Sequence, residues 1–229
     1  MNPLFFIVPL VVLIGGIVVI SVIVSNKMEK QRTDQLSRIA EEMGFSFEPD
    51  GAAVLTTGLS GLPVFNKGHS KKTKNVMTKM VRETEVTLLD HYYTVGSGKH
   101  AQHYRHTVAI FHGDEDACFP EFQMQPENFF HKIGSLFGYQ DIDFDSHPKF
   151  SKRYLIRGSN EDAIRATFSQ TVLDFFEQHP GKWLVESRAN WVAAYNPSRA
   201  KPDAIRQFLA DTTKVFLLFA PQSTSNFDN

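Results

Sequence analysis

The sequence predicts an α+β fold carried on one N-terminal transmembrane helix. Three observations predict it. Residues 4–24 are almost wholly apolar, Val-, Thr- and Tyr-rich strand patterns follow between residues 75 and 111, and the last third sets short strand patterns among helix patterns. An antiparallel β-meander followed by strand, helix, hairpin and helix is the order of an α+β domain.

The anchor comes first. No charged side chain occurs in the first 26 residues. As a helix, residues 4–24 would be about 31 Å long, the thickness of a bilayer's hydrocarbon core. A secretory leader needs a basic start and an apolar core of roughly 7–15 residues; here nothing basic precedes Leu4 and the run is longer. A cut after Ser25 would place Ile23, a poor residue, two positions before it. A buried soluble helix would show a polar face, and this one has none. Pro3 and Pro9 lie near the start, where lost backbone hydrogen bonds cost least. Lys27, Lys30, Arg32 and Arg38 follow the run and no Lys or Arg precedes it. Basic flanks stay inside, so the expected topology is N-terminus out, with the domain cytoplasmic at the inner (plasma) membrane of a bacterial-type cell. The single cysteine, Cys118, agrees with a reducing compartment.

Residues 27–44 read as a juxtamembrane amphipathic helix, with Leu36, Ile39, Ala40 and Met43 on one face and Gly44 as its stop. Only Ser25 and Asn26 interrupt the pattern, so this helix can continue the membrane helix. Residues 45–220 read as one composite domain. Phe45 and Phe47 alternate before a turn at Pro49-Asp50-Gly51. Residues 75–81 and 85–95 are strands, Gly96-Ser97-Gly98 is a loop, and residues 100–111 run back with Tyr104, Val108 and Ile110 on one face. A charged turn at 113–116 leads to a fourth strand at 119–125. Residues 128–137 make a short helix with Phe129, Phe130, Ile133 and Phe137 on one side. A strand at 153–157 closes at Gly158. Ser159 with Asp162 fits a capping box for a helix lined by Ile164, Phe168, Val172 and Phe175, which stops at Pro180-Gly181. Residues 183–187 and 191–195 form a hairpin. Pro202 opens a final helix with the stripe Ile205, Phe208, Leu209, Thr212, Phe216 and Phe219. Residues 221–229 read as a flexible tail.

Composition narrows the function classes. The chain has 24 basic and 25 acidic residues, a net charge of −1, which argues against nucleic acid as a partner. Its 20 phenylalanines, seven of them between Phe119 and Phe150, supply the aromatic area of a real core. No complete catalytic signature occurs. Gly96-Ser97-Gly98 lacks the rest of a phosphate-cradling pattern. Ser135 is not centred between glycines as a nucleophile elbow requires. Cys118 has no activating cation beside it in sequence, and no cofactor is called for.

Three polar groups stand out. Asp141, Asp143, Asp145 and His147 alternate, and oxygen ligands on one face of an extended segment can converge on a hard cation. The calcium-loop pattern fails, since Ser146 and Lys152 hold the glycine and glutamate positions. The competing reading is a solvated loop whose Ile142 and Phe144 point inward. Histidines gather at His91, His100, His103, His106 and His112. His103 takes the opposite face from His100 and His106, so no three converge from that strand alone, although His91 across the hairpin could join two of them on zinc. Ordinary strand-surface histidines are the simpler reading. Finally, Lys67, Lys71, Lys72, Lys74, Lys79 and Arg82 occur without an intervening acid. They suit either an anionic leaflet, at about 1 kcal/mol per charge, or a lysine-guarded sheet edge.

The span with its following helix-strand, the run Phe65-Asn-Lys-Gly-His-Ser70, the stretch from Pro126-Glu-Asn-Phe-Phe-His to Asp-Ser-His-Pro148, and the strand-helix at 150–180 together resemble a group of bacterial single-span membrane-anchored proteins with no assigned activity. The resemblance covers most of the chain and implies a topology but no catalytic residue. Two functions are therefore expected in competition. The first is a membrane-tethered, non-catalytic module that binds a protein partner or anionic lipid headgroups through the basic run. The second is a metal-dependent hydrolase using the acidic cluster.

Overall fold

A single sheet takes up both halves of the sequence pattern. The computed structural model describes residues 4–52, 59–114, 117–127, 129 and 141–220, with side chains from residue 15 onward. Apart from Phe129, the helix predicted over 128–137 lies outside the described residues, as do the end of the charged turn at 115–116 and the tail at 221–229. Eight strands, β1 (Ser46–Asp50), β2 (His69–Val81), β3 (Thr84–Val95), β4 (Gln102–His112), β5 (Phe119–Pro126), β6 (Tyr154–Gly158), β7 (Leu184–Ala189) and β8 (Trp191–Tyr195), form it. Its order is β1-β2-β3-β4-β8-β7-β5-β6, and every pairing is antiparallel. The late hairpin β7–β8 thus lies between β4 and β5, and it joins the meander to the second half of the chain. Pro49, which cannot donate to a ladder, sits on the edge strand β1.

Alternation sorts the strand residues onto two faces. On one, Leu88, Ala109, Phe111, Val185, Val192 and Ala194 join the larger core cluster, covered by helices. These are the C-terminal half of α1 (Leu4–Met43), then α2 (Pro148–Ser151), α3 (Glu161–Thr167), α4 (Gln170–Gln178) and α5 (Ile205–Phe219). On the other, Leu89, Val108, Ile110, Leu184, Ala193 and Tyr195 pack against Leu59, Leu62, Val64 and Phe65 of two short 3₁₀ turns and against Phe129.

Most predicted elements recur within two residues of their expected ends. The stripe of α5 is buried at Ile205, Phe208, Thr212, Val215, Phe216 and Phe219. The helix predicted after Gly158 is instead two, α3 and α4, broken at Phe168 and Ser169. Its N-cap is Asn160 rather than Ser159: the Asn160 side chain accepts from the Ala163 amide at 3.1 Å. The N-terminal helix α1 is continuous. Ser25 and Asn26 lie inside one unbroken 40-residue helix, so the predicted anchor and juxtamembrane helix are a single rod. It ends at Gly44, whose φ of +69° is the left-handed geometry of a helix stop. Leu36 and Ala40 bury its last three turns against the sheet.

Candidate functional site

Two buried ion pairs, one on each face of the sheet, decide how the covering segments are held. Arg32 of α1, 6% exposed, lays its guanidinium on Asp90 of β3, with Nε to Oδ2 and Nη2 to Oδ1 both at 2.7 Å. Asp90 also accepts from Asn75 Nδ2 at 2.9 Å and Thr107 Oγ1 at 2.9 Å, and Arg32 Nη1 donates to the Ala200 carbonyl at 2.7 Å. Every lone pair of the carboxylate that burial removes from water is therefore replaced. One helical turn earlier, the Glu29 carboxylate accepts from Arg199 at 2.9 Å and from the Tyr92 hydroxyl at 3.0 Å, with Arg105 at 3.9 Å. Arg199 also donates to Tyr92. Burial pushes the Glu29 carboxyl up, but the hydrogen bond and charge of Arg199, with Tyr92 and Arg105, outweigh it and hold the group below its ordinary value.

These contacts fix a direction. Arg32 meets Asp90, and Glu29 meets Tyr92 and Arg105, so moving toward the N-terminus of α1 moves toward the β3–β4 turn. The helix therefore leaves the sheet at the end where β2 begins and β3 turns into β4. The segment at 196–202 also crosses this end, because β8 stops at Tyr195, opposite Val108. There the Ala200 amide donates to Thr107 Oγ1 at 3.0 Å.

Against this frame the predicted basic run separates into three groups. Lys71, Lys72 and Lys74 are exposed at the helix-exit end. Lys72 pairs in register with Tyr92, which pairs with Arg105, so all three share a row on the face that α1 crosses. Lys79 and Arg82 lie toward the far end. Lys79 Nζ donates to the Met43 carbonyl at 2.9 Å, a cation on the C-terminus of α1, and Arg82 sits in the β2–β3 turn. Lys67 does not belong to a surface patch at all. It is 2% exposed, with Nζ 3.0 Å from Glu186 Oε1 and 3.2 Å from the Tyr195 hydroxyl. Glu186 also accepts from Tyr195 at 2.7 Å, Gln123 at 3.1 Å and the Val64 amide at 2.7 Å. This second ion pair ties the 3₁₀ cover to the sheet. Gly68, next in sequence, has φ of +61°, and a Cβ there would lie 2.2 Å from the Thr94 carbonyl oxygen. Arg32, expected as an orienting flank charge, is likewise spent inside the fold.

The acidic cluster does not assemble. Asp141 accepts from the Ile156 amide at 2.9 Å, Asp143 and Asp145 are exposed, and His147 turns to Asp174 at 3.3 Å. Ile142 and Phe144 are buried, as the solvated-loop reading expects. Among the described residues no three His, Cys, Asp or Glu side chains are gathered so as to hold a metal ion.

The histidines divide differently from the surface reading. His91 and His106 are cross-strand partners, both fully buried on the face covered by the 3₁₀ turns. His91 Nδ1 bonds Thr73 Oγ1 at 3.1 Å, while its Nε2 is buried without a partner among the described residues. His106 lies 3.0 Å from the Asn196 carbonyl and 3.3 Å from Tyr93. Burial, then the positive charge of His106, Lys71 and Lys67, lowers His91 to about 4. Burial also lowers His106 to about 4, against the opposing Asn196 bond. The unfolded chain binds these protons near pH 6.5 and the folded one does not. Their stabilisation is therefore whole above pH 6.5 and is lost as pH falls toward 4, on the order of 3–6 kcal/mol for the pair. Urea unfolding of the full chain should show this slope, and His91→Gln with His106→Gln should flatten it. An unchanged slope in the double variant would refute the assignment.

No family model matches the chain, and no curated protein matches it. A solved structure is similar to it. The crystal structure of the mycobacterial trehalose monomycolate transport factor A, TtfA, aligns with a TM-score of 0.58 at 14% identity, over 81% of this chain and 92% of that one. The likeness establishes a shared α+β fold. Sequence reasoning did not find Glu29, Tyr92, Arg105 and Arg199 as a group, because they lie on four separate elements with no common motif.

Proposed function

We propose that this protein is a single-span, membrane-tethered, non-catalytic module that binds a protein partner or anionic lipid headgroups at the inner face of the plasma membrane. The observation that carries the reading is the surface of α1. Ile17, Val18, Val19, Ile20, Val22 and Ile23 are each more than half exposed, with Val24 and Met28 beside them. Apolar area left in water costs about 25 cal/mol per Å², and a contiguous apolar surface of this kind marks contact with lipid or protein. Among the described residues no helix is long and apolar enough to cross a membrane. The ten residues 15–24 would supply only about 15 Å, and the rest of the proposed span, residues 4–14, lies outside the described side chains. Lys27, Lys30 and Arg38 remain as flanking charges that favour a cytoplasmic domain.

Full-length protein is expected in the membrane fraction and resistant to alkaline carbonate, with a C-terminal reporter active only in the cytoplasm. Release by carbonate, or a reporter active only outside, would overturn the reading.

A further inference from the structure

Between the outgoing helix and the sheet lies a cleft of about 710 Å³. One wall is the α1 face carrying Ile20, Val24 and Met28, with Ser21 and Ser25 beside them; the other is Arg105 and residues 199–202. The walls differ in kind along the helix. From Ile20 to Met28 the lining is exposed, and its apolar side chains Ile20, Val24 and Met28 alternate with Ser21 and Ser25. From Glu29 onward it carries four cations, Arg32, Arg105, Arg199 and Lys201, with Gln31 and Gln35 among them; Arg32 is committed to Asp90, and the one carboxylate of the lining is Glu29. Arg199 is committed to that carboxylate at 2.9 Å. Arg105 is held more loosely: its side chain is 55% exposed, its Nη1 lies 3.9 Å from Glu29 Oε1, and its guanidinium lies 6.0 Å from the centre of the Tyr92 ring. Lys201 is exposed. The cleft thus ends in an excess of positive charge, with Arg105 on β4 and Lys201 on the segment between β8 and α5.

The spacing along the helix matches a bilayer. Val24 to Glu29 is five residues, about 7.5 Å of helix, comparable to the roughly 5–8 Å of headgroup layer outside the hydrocarbon of each leaflet. A span ending near Val24 therefore places Arg105 and Lys201 at phosphate depth and leaves Ile20 and Val24 beside acyl chains. We infer that this cleft seats one anionic phospholipid, its phosphate between Arg105 and Lys201 and its chains along Ile20 and Val24. The site rests on the tethered reading above and adds to it a particular lipid position. The Arg199–Glu29 pair is its floor and a positioning element.

The test uses the full chain reconstituted in nanodiscs of mixed phosphatidylglycerol and phosphatidylcholine, released into the gas phase for native mass spectrometry. One phosphatidylglycerol should be retained per chain in preference to phosphatidylcholine. Arg105→Gln with Lys201→Gln should reduce that retention about tenfold, while Lys71→Gln with Lys74→Gln, the same charge loss elsewhere at the exit end, should not. Both altered side chains in the first variant are exposed, and an unchanged melting temperature would confirm its fold. Equal retention of the two lipids, or equal loss in both double variants, would overturn the site while leaving the tether intact. Displacement of the retained lipid by millimolar inorganic phosphate would reassign it to free phosphate and overturn the lipid version. Failure of the chain to enter the nanodisc would overturn both.

Discussion

Asp90→Ala is expected to cost about 3–5 kcal/mol of stability, because it strands the Arg32 guanidinium in a place where water does not reach. The carboxylate receives four side-chain donors, two from Arg32, one from Asn75 and one from Thr107. Its loss leaves all of them underused at once. Urea unfolding of the full chain in micelles measures the cost. Hydrogen exchange should show the damage concentrated in residues 27–43, since Arg32 is a buried polar link between that stretch and the sheet. Asp90→Leu combined with Arg32→Met removes both charges and should recover most of the loss, as buried pairs replaced by apolar groups of similar size generally do. A single variant within 1 kcal/mol of the parent would show that the pair does not anchor the helix.

Glu186→Ala should be comparably damaging, again about 3–5 kcal/mol, for the same reason applied to Lys67. Here the consequence falls on the opposite face. The Val64 amide, the Lys67 ammonium, Gln123 and the Tyr195 hydroxyl all lose their shared acceptor. Exchange protection should drop across residues 59–68 while α5 stays protected. Tyr195 reports the same event: burial, then the Glu186 charge, holds its hydroxyl well above the ordinary tyrosine range. Adding Lys67→Met to Glu186→Ala should restore stability, and its failure to do so would argue that cavity formation rather than the unpaired charge sets the cost.

Local order was legible in the sequence because period-2 and period-3.6 patterns are enforced by burial on one face. The stripe Ile205 to Phe219, the strands at 85–95 and 100–111, and the stop at Gly44 all follow from that rule. The order of strands did not follow. Nothing near residues 184–195 says that this hairpin pairs with β4 on one side and β5 on the other, since register depends on partners remote in the chain. The candidate site was legible only in outline. A basic run read as one patch contained a buried lysine, because Lys67 and Lys71 look alike until Glu186 is known to lie beneath the first. His91 and His106 alternate like surface residues, and partners remote in the chain make them interior, Phe65 beside His91 and Phe129 and Tyr195 beside His106. Arg105, Arg199 and Glu29 converge across more than 160 residues of chain and leave no local trace.

The continuity of α1 has a mechanical corollary. A stalk with a loose joint would let the domain swing against the N-terminal half of the helix and would tolerate added or missing residues. A stiff rod does neither. Each residue inserted between 15 and 31 would turn one end against the other by about 100° and lengthen the rod by about 1.5 Å. The azimuth at which Arg105 faces the outgoing helix is therefore written into the residue count of that stretch, and length there is as constrained as side-chain identity.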